Sequence, residues 1–219
     1  MNLDFSQLVP YIPFILEGIW ATLKLAGISI IIGFILGTLL ALCKITKLPL
    51  LKGFADAYTS MFRGTPLILQ LMIIYFAIPQ LTGYDISAFL SAVLAFGLNS
   101  AAYVSEIIRA GILAVDRGQT EAAEALGVPY KQMMINIILP QALKNILPAL
   151  MNEFITLTKE SAIVSVISYM DLMRRAQIVG SELYRNFEPL LFAGLIYWVM
   201  VFILTQIGRL IERRLRHSD

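Results

Sequence analysis

The sequence holds little that could perform covalent chemistry. It contains one cysteine, Cys43, and one histidine, His217. A single thiol excludes an intramolecular disulfide, and one histidine within three residues of the end offers a metal almost no ligands. Cys43 closes an apolar run, where a packed thiol is expected. No nucleophile–base pairing and no acid pair suited to catalysis stands out, so no catalytic residue is assigned. No GxxxxGK[ST] phosphate loop is present, so the chain is not expected to hydrolyse ATP. Charge is also scarce. Only 15% of the 219 residues are charged, against 58% hydrophobic, and mean hydropathy is +0.76. A water-soluble domain of this size cannot hide so much apolar surface, which makes lipid the expected solvent. No Ser/Gly linker, charge run or low-complexity tract divides the chain, so residues 1–219 read as a single domain.

The apolar runs set the architecture. Leu25–Cys43, Gly64–Tyr84, Ile86–Ser105 and Pro189–Gly208 carry no charge. Each has about 20 residues, enough for a helix to cross roughly 30 Å of hydrocarbon. A fifth segment, Met133–Leu157, holds Lys144, Glu153, Pro140 and Pro148; membrane helices tolerate proline when neighbours satisfy the freed carbonyls. The expectation is an all-α membrane protein with five spans at about 14–43, 58–80, 86–114, 133–158 and 188–210, and a loop at 116–132. No cleavable signal is expected, because the first 20 residues carry Asp4 and Glu17 but no Lys or Arg.

Basic residues orient these spans. Lys44, Lys47 and Lys52 follow span one, Arg117 and Lys131 bracket the loop after span three, and Arg209, Arg213, Arg214 and Arg216 follow the last span. The positive-inside rule then places the N-terminus outside and the C-terminus in the cytoplasm. The same rule accounts for the C-terminal arginines without nucleic acid. Arg174, Arg175 and Arg185 oppose it, since they fall on the expected outer side. Span one carries a row of small residues, Ser29, Gly33, Gly37 and Ala41, a face that lets backbones approach closely within or between subunits. Ile163, Val166, Ile167 and Met170 keep helical spacing and suggest a short, partly exposed helix. Arg63–Gly64–Thr65–Pro66 reads as the start of span two, capped by Thr65, with Arg63 reaching lipid headgroups.

The loop holds the most informative stretch, EAAEALGVPYKQMMINIILP, from Glu121 to Pro140. Thr120 is a candidate cap, and Glu121 and Glu124 would favour the positive end of a helix. Ala122, Ala123 and Ala125 leave that helix slim. Gly127 suits a left-handed C-cap, with Pro129 preventing continuation. The product is a short helix and turn across the membrane face, either docking into a partner's groove or serving as a solvated connector.

Three blocks resemble the permease subunits of polar amino acid ABC importers, members of the binding-protein-dependent transport system inner membrane component family. They are RGTPLILQLMIIYFAIP (Arg63–Pro79), AYVSEIIRAGILAVDRGQTEAAEALG (Ala102–Gly127) and ILPQALKNILPALMNEFITLTKESAIVSVI (Ile138–Ile167). The resemblance implies a multi-pass protein of the bacterial inner membrane. It implies a second permease subunit, identical or closely related, and an extracytoplasmic amino acid binding protein. It also implies two ATPase subunits that bind ATP and Mg themselves, leaving this chain no cofactor. Glu121, Ala122, Ala123, Gly127, Val128 and Pro129 would then form the coupling helix and turn on which the ATPases dock.

Ionisable and polar groups within spans are the candidate substrate contacts. Asn99, Tyr103 and Glu106 share one face of span three, with Arg109 continuing it. Span four offers Glu153 and Glu160 on one face, beside Lys159 and Ser161. Lys159 would hold a substrate carboxylate, and Glu106, Glu153 or Glu160 its ammonium. The surplus of carboxylates suits a cationic amino acid: arginine, lysine or histidine. Other readings stay open. Glu106–Arg109 could be a structural pair, the substrate could be glutamine or glutamate, and the same residues could line a stand-alone channel or serve a scaffold protein.

Overall fold

The computed structural model describes residues 4–46 and 48–216. Lys47 and His217, both named above, lie outside the described residues. All regular secondary structure among the described residues is helical. A short 3₁₀ turn, Phe5–Tyr11, leads into α1 (Ile12–Ile45); α2 (Pro49–Gly64) and α3 (Leu67–Met72) follow. A π-turn, Ile73–Ala77, joins α3 to α4 (Ile78–Thr82), and α5 is Ala88–Leu113. The loop holds α6 (Arg117–Ala125) and α7 (Tyr130–Met133). A second π-turn, Met134–Ile138, precedes α8 (Leu139–Glu160), which runs into a 3₁₀ segment, Ser161–Ile167. The chain ends in α9 (Leu172–Glu182) and α10 (Phe187–Arg216).

Four helical stretches among the described residues are long and apolar enough to cross a bilayer: Phe5–Ile45, Ala88–Leu113, Tyr130–Ile167 and Phe187–Arg214. A fifth crossing forms if Pro49–Gly64 and Leu67–Thr82 count as one span, and that pair is bent by 100°. The straight second span expected at 58–80 is therefore broken at Gly64–Thr65–Pro66. Pro66 forces its predecessor out of the helical region, and Thr65 is extended at φ −120°, ψ 146°. Thr65 does not cap α3 as expected. Its hydroxyl donates back to Met61 O at 2.9 Å, closing α2. Both π-turns have one cause. Pro79 and Pro140 cannot donate to the carbonyls four residues earlier and would collide with them, and a widened turn precedes each.

The core is built on α1 against α5. The small-residue row of α1 does its packing inside the subunit. A Cβ on Gly33 would sit 2.7 Å from Ser100 Oγ, and one on Gly37 would sit 2.8 Å from Val104 Cβ. Leu25 and Ala26 of α1 pack with Ala92, Ala95 and Phe96 of α5, all fully buried.

Between Ser161 and Phe187 the expected helix is replaced by two pieces. The 3₁₀ segment also brings Val164 and Ile167 onto one face, and Ser168 then turns the chain at φ +60°. The α-helix lies further on, as α9. Asp171 caps it, accepting from Arg174 N at 2.8 Å, and also accepts from the Tyr197 hydroxyl of α10 at 3.1 Å. Leu172 N donates to Thr22 Oγ1 of α1 at 3.4 Å. Gly18 of α1 meets the backbone of Leu172, where a Cβ would lie 2.5 Å from Cα. Arg175 binds Glu17 at 2.7 Å and Phe14 O at 2.9 Å, and Arg185 binds Glu188 at 3.2 Å. Two of the three arginines that oppose the charge rule are thus neutralised by acids on neighbouring elements.

Two predictions follow from how α9 is held. Gly18→Ala should lower stability by about 1–3 kcal/mol through overpacking on backbone. Gly27→Ala, with nothing within 4 Å, should not. Thermal unfolding in detergent compares them, and equal melting points would contradict the contact. Burial raises the Asp171 carboxyl from 3.8 to about 6. Between about pH 4 and 6 the folded chain therefore holds this proton more tightly than the unfolded chain, so stability falls as pH rises through that window. Roughly 3 kcal/mol is at stake, and Asp171→Asn should flatten the pH dependence of melting there.

Candidate functional site

The loop between α5 and α8 folds into a helix, a tight turn and a second helix start. Asp116, one turn earlier than the expected Thr120, caps α6 by accepting from Gly118 N at 2.6 Å. Aspartate caps as well as threonine, and the Arg117–Gly118–Gln119 run proves helical. Glu121 and Glu124 consequently lie beyond the first turn, away from the positive end. The C-terminus matches expectation. Gly127 has φ +69°, its N–H reaches Glu124 O at 2.9 Å, and Val128 N reaches Ala123 O at 2.9 Å. These two bonds form a Schellman turn, the left-handed stop that glycine favours. Pro129 then opens α7.

One side of α6 is anchored and the other is open. Ala123 is buried on Met133 and Ile138, with Ile112, Val115 and Val128 packed around them. Glu121, Ala122, Glu124 and Gly127 are exposed. So are two large apolar side chains that the sequence reading did not single out, Leu126 at 83% and Tyr130 at 65%. Their only sequence signal is an apolar residue on each side of the Gly–Val–Pro turn. Gln141 of α8 donates to Gln119 of α6 at 3.3 Å. A cavity of about 700 Å³ opens beside this contact, lined by Asp116, Gln141, Lys144, Asn145 and Glu212 among others. It is not lined by any of the candidate substrate residues.

Those residues fall into two groups. Asn99, Tyr103 and Glu106 follow α2 down α5. Asn99 is buried and donates to Phe62 O and Gln70 Oε1, each at 3.1 Å. Gln70 in turn donates to Phe62 O at 2.9 Å, Thr65 O at 3.2 Å and Thr65 Oγ1 at 2.9 Å. This network satisfies carbonyls released by the 100° break. Gln70 is a third residue that sequence spacing did not reveal. Glu106 is bound on both sides, by Lys44 of α1 and by Arg109 at 2.7 Å. Lys44 is only 7% exposed and also donates to Ser105 Oγ at 3.2 Å. Its sequence reading as a cytoplasmic flanking charge did not anticipate a buried bond. Tyr103 is 37% exposed and lies under Arg63, whose guanidinium carbon is 5.3 Å from the ring centroid. Arg63 sits in the last turn of α2, at the break.

The second group lies on α8. Glu153 is part-buried and accepts from Ser100 Oγ of α5 at 2.9 Å. Ser100 is the residue against which Gly33 packs, so the α1–α5 contact also places the Glu153 partner. Glu160 is part-buried and Lys159 is exposed. Ser161 is fully buried, donating to Thr158 O at 2.8 Å to close the end of α8. Glu153 and Glu160 have no basic group within salt-bridge distance among the described residues. The candidate carboxylates thus divide into one that is doubly paired and two that are not. No group of metal-ligating side chains occurs among the described residues.

Known proteins match this chain over nearly its whole length. Residues 29–217 match the family model described as "Binding-protein-dependent transport system inner membrane component". The arginine transport system permease protein ArtQ of Bacillus subtilis (strain 168) is 62% identical over 219 residues, covering all of both chains. A putative glutamine transport system permease protein GlnP of Rickettsia bellii is 55% identical, over 96% of this chain and 98% of that one. The crystal structure of an amino acid ABC transporter with histidines superposes with a TM-score of 0.95 at 48% identity, over 98% of this chain and 100% of that one. An inward-facing methionine ABC transporter, MetNI, shares the fold at a TM-score of 0.78 and 21% identity. The chain therefore belongs to the binding-protein-dependent transport system inner membrane component family, as a multi-pass permease subunit.

Proposed function

We propose that this chain is the transmembrane subunit of an ATP-driven importer of polar amino acids, with arginine, lysine and histidine favoured. The observation that carries the cationic preference is the state of the α8 carboxylates. Glu153 and Glu160 lie in or at the end of a span without an ion-pair partner, whereas Glu106 is saturated. A carboxylate in low dielectric is costly unless a cation reaches it, and a cationic amino acid brings two. Glu153, Glu160 and Lys159, with Ser161 closing the helix beneath them, form the substrate-facing group. Tyr103 contributes from α5, while Asn99 and Glu106 hold the scaffold. The high identity of the glutamine-named relatives supports a second reading, in which the cargo is glutamine.

In this reading five spans, centred on 14–43, 58–80, 86–114, 133–158 and 188–210, place the N-terminus outside and the C-terminus in the cytoplasm. The second is broken within the membrane. Two such permease subunits line the pathway, two ATPase subunits bind ATP and Mg, and an extracytoplasmic binding protein delivers the amino acid. The coupling turn at 116–132 carries the motion. Its buried face, Ala123 on Met133 and Ile138, is joined to α5 through Ile112 and to α8 through Ile138. Ile138 and Glu153 are about 22 Å apart along one helix at 1.5 Å per residue. A displacement of α6 is thereby delivered to the two elements that hold Glu153 and its Ser100 partner.

Two outcomes are expected. In proteoliposomes containing permease, ATPase and binding protein, Glu153→Gln should lower uptake of the preferred amino acid about tenfold or more and leave ATPase association unchanged. Competition by arginine, lysine and histidine against glutamine and glutamate decides the substrate class, and a clear win for glutamate would overturn the cationic assignment. Gly127→Val should weaken association with the ATPase subunits roughly tenfold, because a left-handed β-branched residue costs about 1–2 kcal/mol. Undiminished co-purification would remove the turn from the docking surface.

A further inference from the structure

Several cations in and beside the spans have partners among the described residues. Lys44 and Arg109 share Glu106. Lys24 lies 4.9 Å from the Phe89 ring, next to the first residue of α5. Arg63 is different. Its position is set by Tyr103, which lies about 22 Å from the Ala88 end of α5 and about 15 Å from the Leu113 end. Among the described residues its guanidinium receives no hydrogen-bond acceptor and no carboxylate. Its contact is with the Tyr103 ring face, which engages the charge and occupies none of the five N–H donors. It also sits at the mouth of the α2–α3 break, exposed, with Gly64, Thr65 and Pro66 exposed beside it.

An opposite charge is held one turn away along α5. Glu153 is bonded to Ser100, one turn and about 4.5 Å of rise from Tyr103 on α5. Arg63 and Glu153 do not pair with each other. An unpartnered guanidinium and an unpaired carboxylate, held by residues one turn apart on α5, are complementary to the two ends of a free amino acid. A guanidinium is suited to bidentate recognition of a carboxylate, more so than the point charge of lysine.

The geometry points to Arg63 as the residue that recognises the substrate's α-carboxylate within the pathway. This rests on the amino acid import reading above. It gives the pathway a means of distinguishing a free amino acid from its amide or amine, independently of the binding protein. Tyr103 is the positioning residue that holds the guanidinium at this depth.

The test uses the permease–ATPase complex in nanodiscs without binding protein. Radiolabelled arginine and, separately, glutamine are bound, and each is competed by its own carboxamide. The wild type should prefer the free acid by about tenfold or more. Arg63→Gln should bring that ratio to near one, with carboxamide affinity changed less than about threefold, and Arg63→Lys should keep part of the preference. A merely structural or headgroup-binding arginine would lower acid and amide binding equally, which overturns the role of Arg63. A preference that survives in Arg63→Gln overturns it as well, while leaving the import reading intact. A wild type that binds neither amino acid overturns both.

Discussion

Everything in this subunit depends on how closely α1 approaches α5. Two glycines one turn apart, Gly33 and Gly37, face Ser100 and Val104 with no room for a side chain. In lipid there is no hydrophobic force to drive such an approach, so dispersion between closely fitted backbones and interhelical polar bonds must supply it. The same seam carries a buried ionic tie, Lys44 to Glu106 and Ser105. Packing at one level and charge at another fix the register of the two helices. That register then decides where Ser100, and with it Glu153, stands.

Charge in the membrane is sorted by this scaffold into spent and unspent groups. Glu106 is spent, clamped between a lysine from α1 and an arginine three residues along its own helix. The Asn99 amide is spent on the carbonyl left free by the break after α2. Arg63, Glu153 and Glu160 form no ion pair among the described residues. An unsatisfied ion costs so much in low dielectric that its presence calls for a second subunit, a substrate or water along a pathway. The distinction separates residues paired within the fold from those that the proposed function assigns to cargo, a separation that helical spacing alone cannot make.

Much of this was legible in one dimension. The apolar runs located α1, α5, α8 and α10, and the small-residue row marked the seam. Gly127 followed by Pro129 marked the end of α6, because a left-handed stop has a residue requirement that can be read directly. The start of that helix was less legible, since Asp116 and Thr120 are both able caps and only the backbone chose between them. The break in span two was hidden for a different reason. Gly–Thr–Pro is compatible with a helix start and with a helix end, and here it is both, with Thr65 turned back to Met61. Lys44 was misplaced because flanking lysines are usually solvated. Only the neighbouring face of α5 could show that this one is buried.

The two π-turns connect these observations to motion. Each precedes a proline that cannot continue an α-helical ladder, Pro79 in one case and Pro140 in the other. A widened turn has one more residue than its neighbours require and can be lost or regained without breaking a helix. The turn before Pro140 lies between α6 and Glu153, and its last residue, Ile138, is itself part of the cluster that grips Ala123. In the importer reading proposed above, a force on α6 enters α8 at this turn. Beyond that point α8 is regular helix apart from Pro148, and it ends at Glu160. In that reading, a compliant start and a stiff remainder of α8 are what a lever needs to swing carboxylates while the α1–α5 seam stays fixed.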